Sequence, residues 1–134
     1  MATSDNVIRA GLTPKLRDVP NLVAALTYVA GDPSHHKVKP THFSDHTTLY
    51  DPPIPEFSVL TVRVPVGTRA NHRELAGPSV AVVTEGNGVV KWGKDRILKV
   101  KLGEVFFIAA GEAVEFESAE SHFVLHRAFI EVNV

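Results

Sequence analysis

Seven histidines are the side chains of this sequence best suited to ligate a metal or to move a proton near neutral pH, and their spacing decides which of them act together. His42-x-x-x-His46, with Asp45 between, has the spacing that places two imidazoles on one helix face. Pro40 and the Thr47-Thr48 pair oppose a helix there, so a wet loop is expected, and His35-His36 reads the same way. His122 and His126 lie an even number of residues apart on what reads as the last strand, and share a face as hydrogen-bonded or solvated histidines rather than a ligand pair. Arg127 then falls on the opposite face, beside Phe129, where a structural ion pair is expected. His72, in Asn71-His72-Arg73-Glu74, is a lone histidine in a turn-like stretch. Trp92 has the shape to stack on a sugar ring, but core or hairpin packing is its expected role. By residue type alone, Asp5, Arg9 and Lys15 make a solvated loop with an incidental ion pair.

The elements that must position these groups fit one compact domain, because the chain has 134 residues. Apolar residues make up 44% and charged residues 22%, which excludes disorder throughout. Fourteen basic residues against fifteen acidic, without a basic run, exclude an electrostatic footprint for nucleic acid. No stretch approaches the ~20 apolar residues of a membrane span, and the polar start is unlike a secretory signal, so the cytoplasm is the default compartment.

Residues 1–17 show no sustained period and read as one short strand plus loop. Asp18 followed by Pro20, then Leu22, Val23, Leu26 and Val29, predicts one short helix over about 20–30, ending near Gly31. From Pro33 to Pro55 the chain holds five prolines and four histidines, the texture of an extended linker. Beyond it, seven runs of strand character predict a sandwich or small barrel. Gly86-Asn87-Gly88 and Gly93-Lys94-Asp95 each predict a tight hairpin. Leu60, Val62 and Val64, and again Val114 and Phe116, alternate as strands with one buried face, whereas the continuous run Val105 to Ile108 is expected deep in the core.

Leu102 to Gly111 resembles cupins: Gly103 and Gly111 bracket a strand at the family's spacing, with Ala109 where proline is usual. Metal-binding cupins carry a histidine three residues after that second glycine and an earlier His-x-His with a glutamate. Val114 stands at the late position and no His-x-His occurs, so the resemblance implies a barrel without its own metal.

The run Met1 to Lys15, Met-Ala-Thr-Ser-Asp-Asn-Val-Ile-Arg-Ala-Gly-Leu-Thr-Pro-Lys, resembles the second half of the signature of type I zinc-dependent mannose-6-phosphate isomerases. The similarity continues through Asp18-Val19-Pro20, Tyr50 to Phe57, Gly77-Pro78-Ser79, Gly103 to Ile108 and Arg127-Ala128-Phe129. It implies a mostly β, cupin-like jelly roll over 51–134. Residues 1–50 are then a remnant of the catalytic-barrel strand and loop, followed by the helix and linker. Met1 aligns with a methionine internal to the family, so the chain is expected to be the enzyme's carboxy-terminal part, with the zinc ligands lying earlier.

In that family the substrate is a sugar phosphate and the cofactor is zinc, and the resemblance gives Arg9 the role of active-site cation, Asp5 that of a neighbouring carboxylate and Lys15 that of a phosphate contact. No cofactor is expected for the chain alone, which is then inactive unless the missing amino-terminal region is supplied in trans. The alternative is a non-catalytic, metal-free jelly-roll module that binds a carbohydrate or a protein partner.

Overall fold

A computed structural model describes residues 7–118 and 120–130. The chain divides after Lys37 into two compact units. In the first, one α-helix, α1, spans Val19–Ala25. Asp18 caps it as the sequence predicts, its carboxylate accepting from the Asn21 amide at 3.2 Å, with proline in the first turn. The helix is shorter than the expected 20–30. Leu26 is already extended, and Tyr28 takes a left-handed φ of 52°, which a continuing helix cannot accommodate. Residues 33–36 form a short 3-10 turn capped by Asp32. No strand occurs among the described residues of 7–18, and the first six residues of the stretch expected to hold a short strand lie outside the described residues.

The second unit holds nine strands: β1 (Thr41–Ser44), β2 (Thr47–Tyr50), β3 (Ser58–Val64), β4 (Arg69–His72), β5 (Ser79–Trp92), β6 (Arg96–Lys101), β7 (Val105–Ile108), β8 (Val114–Glu117) and β9 (Phe123–Phe129). All pair antiparallel in the order β1-β2-β3-β9-β5-β8-β4, with β6 and β7 also on β5. The result is a mostly β, barrel-like roll. The expected linker over 33–55 therefore contains a β-hairpin, β1–β2, whose second strand pairs with β3 from Thr47↔Val62 to Tyr50↔Val59. Thr-rich, β-branched residues suit a pleated strand despite the nearby prolines. His72, read as lying in a turn, ends β4.

β5 is the strand that turns the sheet into a roll. Its first half, Ser79 to Val82, lies between β9 and β7, and its second half, Val89 to Trp92, between β6 and β8. Gly86-Asn87-Gly88, expected as a hairpin, instead sits inside this continuous strand beside a register shift between Val83 and Glu85. A Cβ at Gly86 would lie 1.8 Å from the His122 carbonyl oxygen, and one at Gly88 would lie 2.4 Å from the Phe123 ring. These glycines permit close approach of β9 rather than chain reversal. The Gly93-Lys94-Asp95 hairpin forms, joining Trp92 to Arg96.

The inward rows behave as the alternation predicts on β3 and β8: Leu60, Val62 and Val64, with Val114 and Phe116, are buried. β7 does not. Val105 is 63% and Phe107 66% exposed, because β7 pairs with β5 alone and one of its faces is uncovered. The buried apolar residues form two clusters, a large one containing Val62, Ala81, Phe116 and Leu125, and a small one of Leu60, Leu75 and Phe129. No helix among the described residues is long and apolar enough to cross a membrane.

Candidate functional site

Within the second unit, His72 and Arg127 are the two residues singled out by type that meet each other. Arg9 is half-buried and Lys15 exposed in irregular backbone. The Arg9 carbonyl accepts from the Asp18 amide at 2.9 Å, and the Lys15 amide donates to Thr13 Oγ1 at 3.2 Å. Asp5 lies outside the described residues. His35, His36, His42 and His46 are exposed. His46 has a left-handed φ of 61° in the β1–β2 turn, where its carbonyl accepts from the Arg63 amide. His122 precedes β9 and meets Glu85 Oε2 at 2.9 Å, whereas His126, within β9, meets Thr61 Oγ1 at 3.0 Å. Trp92 packs, half-buried, against the large cluster.

The polar groups that do converge are Thr47, His72, Ser79 and Arg127, from β2, β4, β5 and β9, all buried. Arg127 Nε donates to Ser79 Oγ at 2.8 Å, and Nη1 lies 3.2 Å from His72 Nδ1. A guanidinium only donates, so Nδ1 accepts and the neutral imidazole carries its proton on Nε2, 2.9 Å from Thr47 Oγ1. The Thr47 hydroxyl donates in turn to the Asp45 carbonyl at 3.2 Å. One directed chain of hydrogen bonds thus runs from the guanidinium to the β1–β2 turn. Phe43 and Phe116 meet the His72 ring edge-on at centroid distances of 5.3 and 5.0 Å.

Charge in this layer is set by burial. Desolvation, with the Arg127 charge second, pushes the His72 pKa down to about 3. Burial lowers Arg127 to about 10, so the guanidinium stays charged at neutral pH. Nη2 of Arg127 is buried without a hydrogen-bond partner. The ion pair expected for Arg127 is absent: no acidic side chain pairs with it among the described residues. A charged residue that shares the inward row of Phe123, Leu125 and Phe129 is enclosed by its strand partners before any surface carboxylate can reach it. Its even spacing from Phe123, Leu125 and Phe129 is the sequence signal for that burial. Thr47 and Ser79 carry no comparable signal.

These strands and this enclosed interior define the class: a jelly roll of the cupin type. A cupin protein from Bacteroides fragilis shares the fold with a TM-score of 0.51 at 14% identity, over 57% of this chain and 67% of that one. Residues 48–95 match the family model "Phosphomannose isomerase type I C-terminal". A mannose-6-phosphate isomerase from Cryptococcus neoformans var. neoformans is 51% identical over 134 residues, covering 98% of this chain and 30% of the relative. The mannose 6-phosphate isomerase of Salmonella typhimurium, solved bound to substrate and zinc, superposes with a TM-score of 0.75 at 25% identity, over 98% of this chain and 32% of that one. The chain is similar, over nearly its whole length, to the carboxy-terminal part of type I phosphomannose isomerases, and spans about a third of the length of the relatives it matches.

The Salmonella relative holds zinc. Among the described residues here, no three histidine, aspartate or glutamate side chains are grouped so as to hold a metal ion. Inside the roll, the residue opposite His72 on β8 is Val114, and a guanidinium stands beside the imidazole. These residues do not fit zinc.

Proposed function

We propose that this chain serves as the carboxy-terminal portion of a mannose-6-phosphate isomerase, interconverting mannose 6-phosphate and fructose 6-phosphate only when joined to an amino-terminal catalytic portion. The observation that carries this reading is the 51% identity, across 98% of the chain, to an isomerase of Cryptococcus. The reaction moves a proton between C1 and C2 and shifts the carbonyl, which requires a base near those carbons and an electrophile on the oxygens. In this reading Arg9 faces the developing enediolate charge with Asp5 beside it, and Lys15 meets the substrate phosphate, roles suited to a guanidinium and an ammonium. The hydrogen bond from the Asp18 amide to the Arg9 carbonyl supports a fixed backbone at Arg9.

A coupled isomerase assay with mannose 6-phosphate tests the reading. The 134-residue chain is expected to be inactive with and without added zinc, and to restore turnover when mixed with, or fused to, the amino-terminal two thirds of the Cryptococcus relative. In the restored enzyme, Arg9→Ala is expected to lower kcat about 10²- to 10³-fold, the scale of losing one positioned electrostatic group. Turnover by the isolated chain with one bound zinc, or no turnover in the fusion, would overturn it.

A further inference from the structure

Arg127 brings a full positive charge to 0% exposure, and among the described residues nothing around it supplies the opposite sign. Its register partners are Leu60 on β3 and Ala81 on β5, and its hydrogen-bond partners are the Ser79 hydroxyl and the neutral His72 imidazole. Thr47, beyond His72, is also uncharged. Two of the three guanidinium nitrogens are engaged, while the third, Nη2, is buried and donates to nothing.

Two needs are therefore open at one atom: an acceptor for the Nη2 protons and a counter-charge for a cation shielded from water. A trapped water would meet the first only. An anion meets both, through charge-assisted hydrogen bonds that strengthen in a dry interior. We propose that the roll interior at Arg127 Nη2 is a binding site for a small monovalent anion of the halide class. The site is the charge-inverse of a metal centre: the cation is built into the protein and the exchangeable ion is negative.

The neighbouring residues set the ligand class. One guanidinium is neutralised by one negative charge, and apolar Leu60 and Ala81 restrict space and hydration, which favours bromide, chloride or nitrate over strongly hydrated fluoride or divalent sulfate. His72, the neighbour of Arg127, forms part of the wall of an open cleft shared with Asn71, Arg73, Lys91 and Glu115. The anion site is independent of the isomerase reading, since none of these residues was assigned to that reaction.

The test uses the 134-residue chain crystallised from sodium bromide, together with thermal unfolding at fixed ionic strength in fluoride, chloride, bromide and nitrate. Expected are an anomalous peak within hydrogen-bond reach of Nη2 and a saturable Tm rise of roughly 4 °C in bromide over fluoride. Arg127→Met should abolish the difference between salts. Should that variant fail to fold, the anomalous peak and the salt series on the parent chain decide alone. A peak without anomalous signal, which is a water, or a Tm that ignores the identity of the anion, overturns the proposal. So does an adventitious ion only, a bromide peak at crystal concentration with no Tm difference.

Discussion

Nδ1 of His72 stands 3.2 Å from Nη1 of Arg127, so the imidazole on β4 and the guanidinium on β9 fix each other's hydrogen-bonding roles across the roll. The guanidinium can only donate, which forbids a proton on Nδ1 and sends the imidazole proton toward Thr47. Along β9, Arg127 lies between Leu125 of the large apolar cluster and Phe129 of the small one. The polar layer therefore marks where the two clusters part, and its charge state bears on both.

Acid should destabilise the fold through His72. Its folded pKa is about 3, below the ordinary value of 6.5, so between these values the unfolded chain takes up a proton that the native chain refuses. This contribution is fully present above pH 6.5, declines as pH falls through that value and is exhausted near pH 3. The slope limit of ~1.4 kcal/mol per unit makes the total on the order of 5 kcal/mol. Urea unfolding at pH 7, 6, 5 and 4 should show the decline, and His72→Gln should flatten it. A His72→Gln profile as steep as that of the parent would disprove the assignment.

Ser79 and Arg127 predict opposite costs for removing one partner and removing the charge. Ser79→Ala deletes the acceptor of Arg127 Nε and leaves a second buried donor orphaned, a loss of about 1–3 kcal/mol. Arg127→Met replaces the cation with an apolar chain of similar length. It should cost less than Ser79→Ala or even stabilise, as exchanges of buried charge for packed hydrocarbon often do. Arg127→Ala, which opens a cavity, should cost about 2–5 kcal/mol. Equilibrium denaturation ranks the three, and an Arg127→Met variant worse than Ser79→Ala would show that the guanidinium holds the roll together.

Much of this layout was legible in residue order. The alternation of Leu60, Val62 and Val64 gave the inward row of β3, and Asp18 with Pro20 gave the start of α1, because both signals are local. The β1–β2 hairpin was not legible, since prolines and histidines around it outweighed Thr47, Thr48, Leu49 and Tyr50, the four positions that pair with β3. Val105 to Ile108 read as core because four apolar residues in a row hide which face has a neighbour, and only the pairing of β7 with β5 decides it. The polar layer was the least legible part of the candidate site. Thr47, His72, Ser79 and Arg127 are separated by up to 55 residues within each contact, and only the register of four strands brings them together. The expected site residues Arg9 and Lys15 rested on resemblance, and backbone geometry adds to them the anchoring of the Arg9 carbonyl and of the Lys15 amide.

Phe116 and Phe107 each sit third in a four-residue strand yet should respond very differently to truncation. Phe116 is 0% exposed and touches the His72 ring, whereas Phe107 is 66% exposed. Phe116→Ala should therefore cost about 3–5 kcal/mol and Phe107→Ala under about 1 kcal/mol. Thermal melts of both variants distinguish these sizes readily. A large loss in Phe107→Ala would mean that β7 packs against something that covers its outer face.

Three glycines on or beside β5 separate backbone strain from close approach. Gly93 has a φ of 58° in the β5–β6 turn with nothing within 4 Å of a built Cβ, so Gly93→Ala should cost only the ~1–2 kcal/mol of a left-handed alanine. Gly86 has a similar φ of 67°, but its Cβ would fall 1.8 Å from the His122 carbonyl oxygen. Gly86→Ala must both strain its backbone and push β9 away from β5, where those two strands share the register that carries Arg127 inward. At Gly88, which lacks the positive φ, the obstacle is the Phe123 ring, 2.4 Å from the built Cβ and fully buried. The ring cannot swing into solvent, so Gly88→Ala should also cost more than Gly93→Ala. Denaturation should order the losses as Gly86→Ala largest, Gly88→Ala next and Gly93→Ala least. Equal losses at Gly86 and Gly93 would mean that φ alone matters, and that β5 crosses between its two sets of neighbours without needing β9 so close.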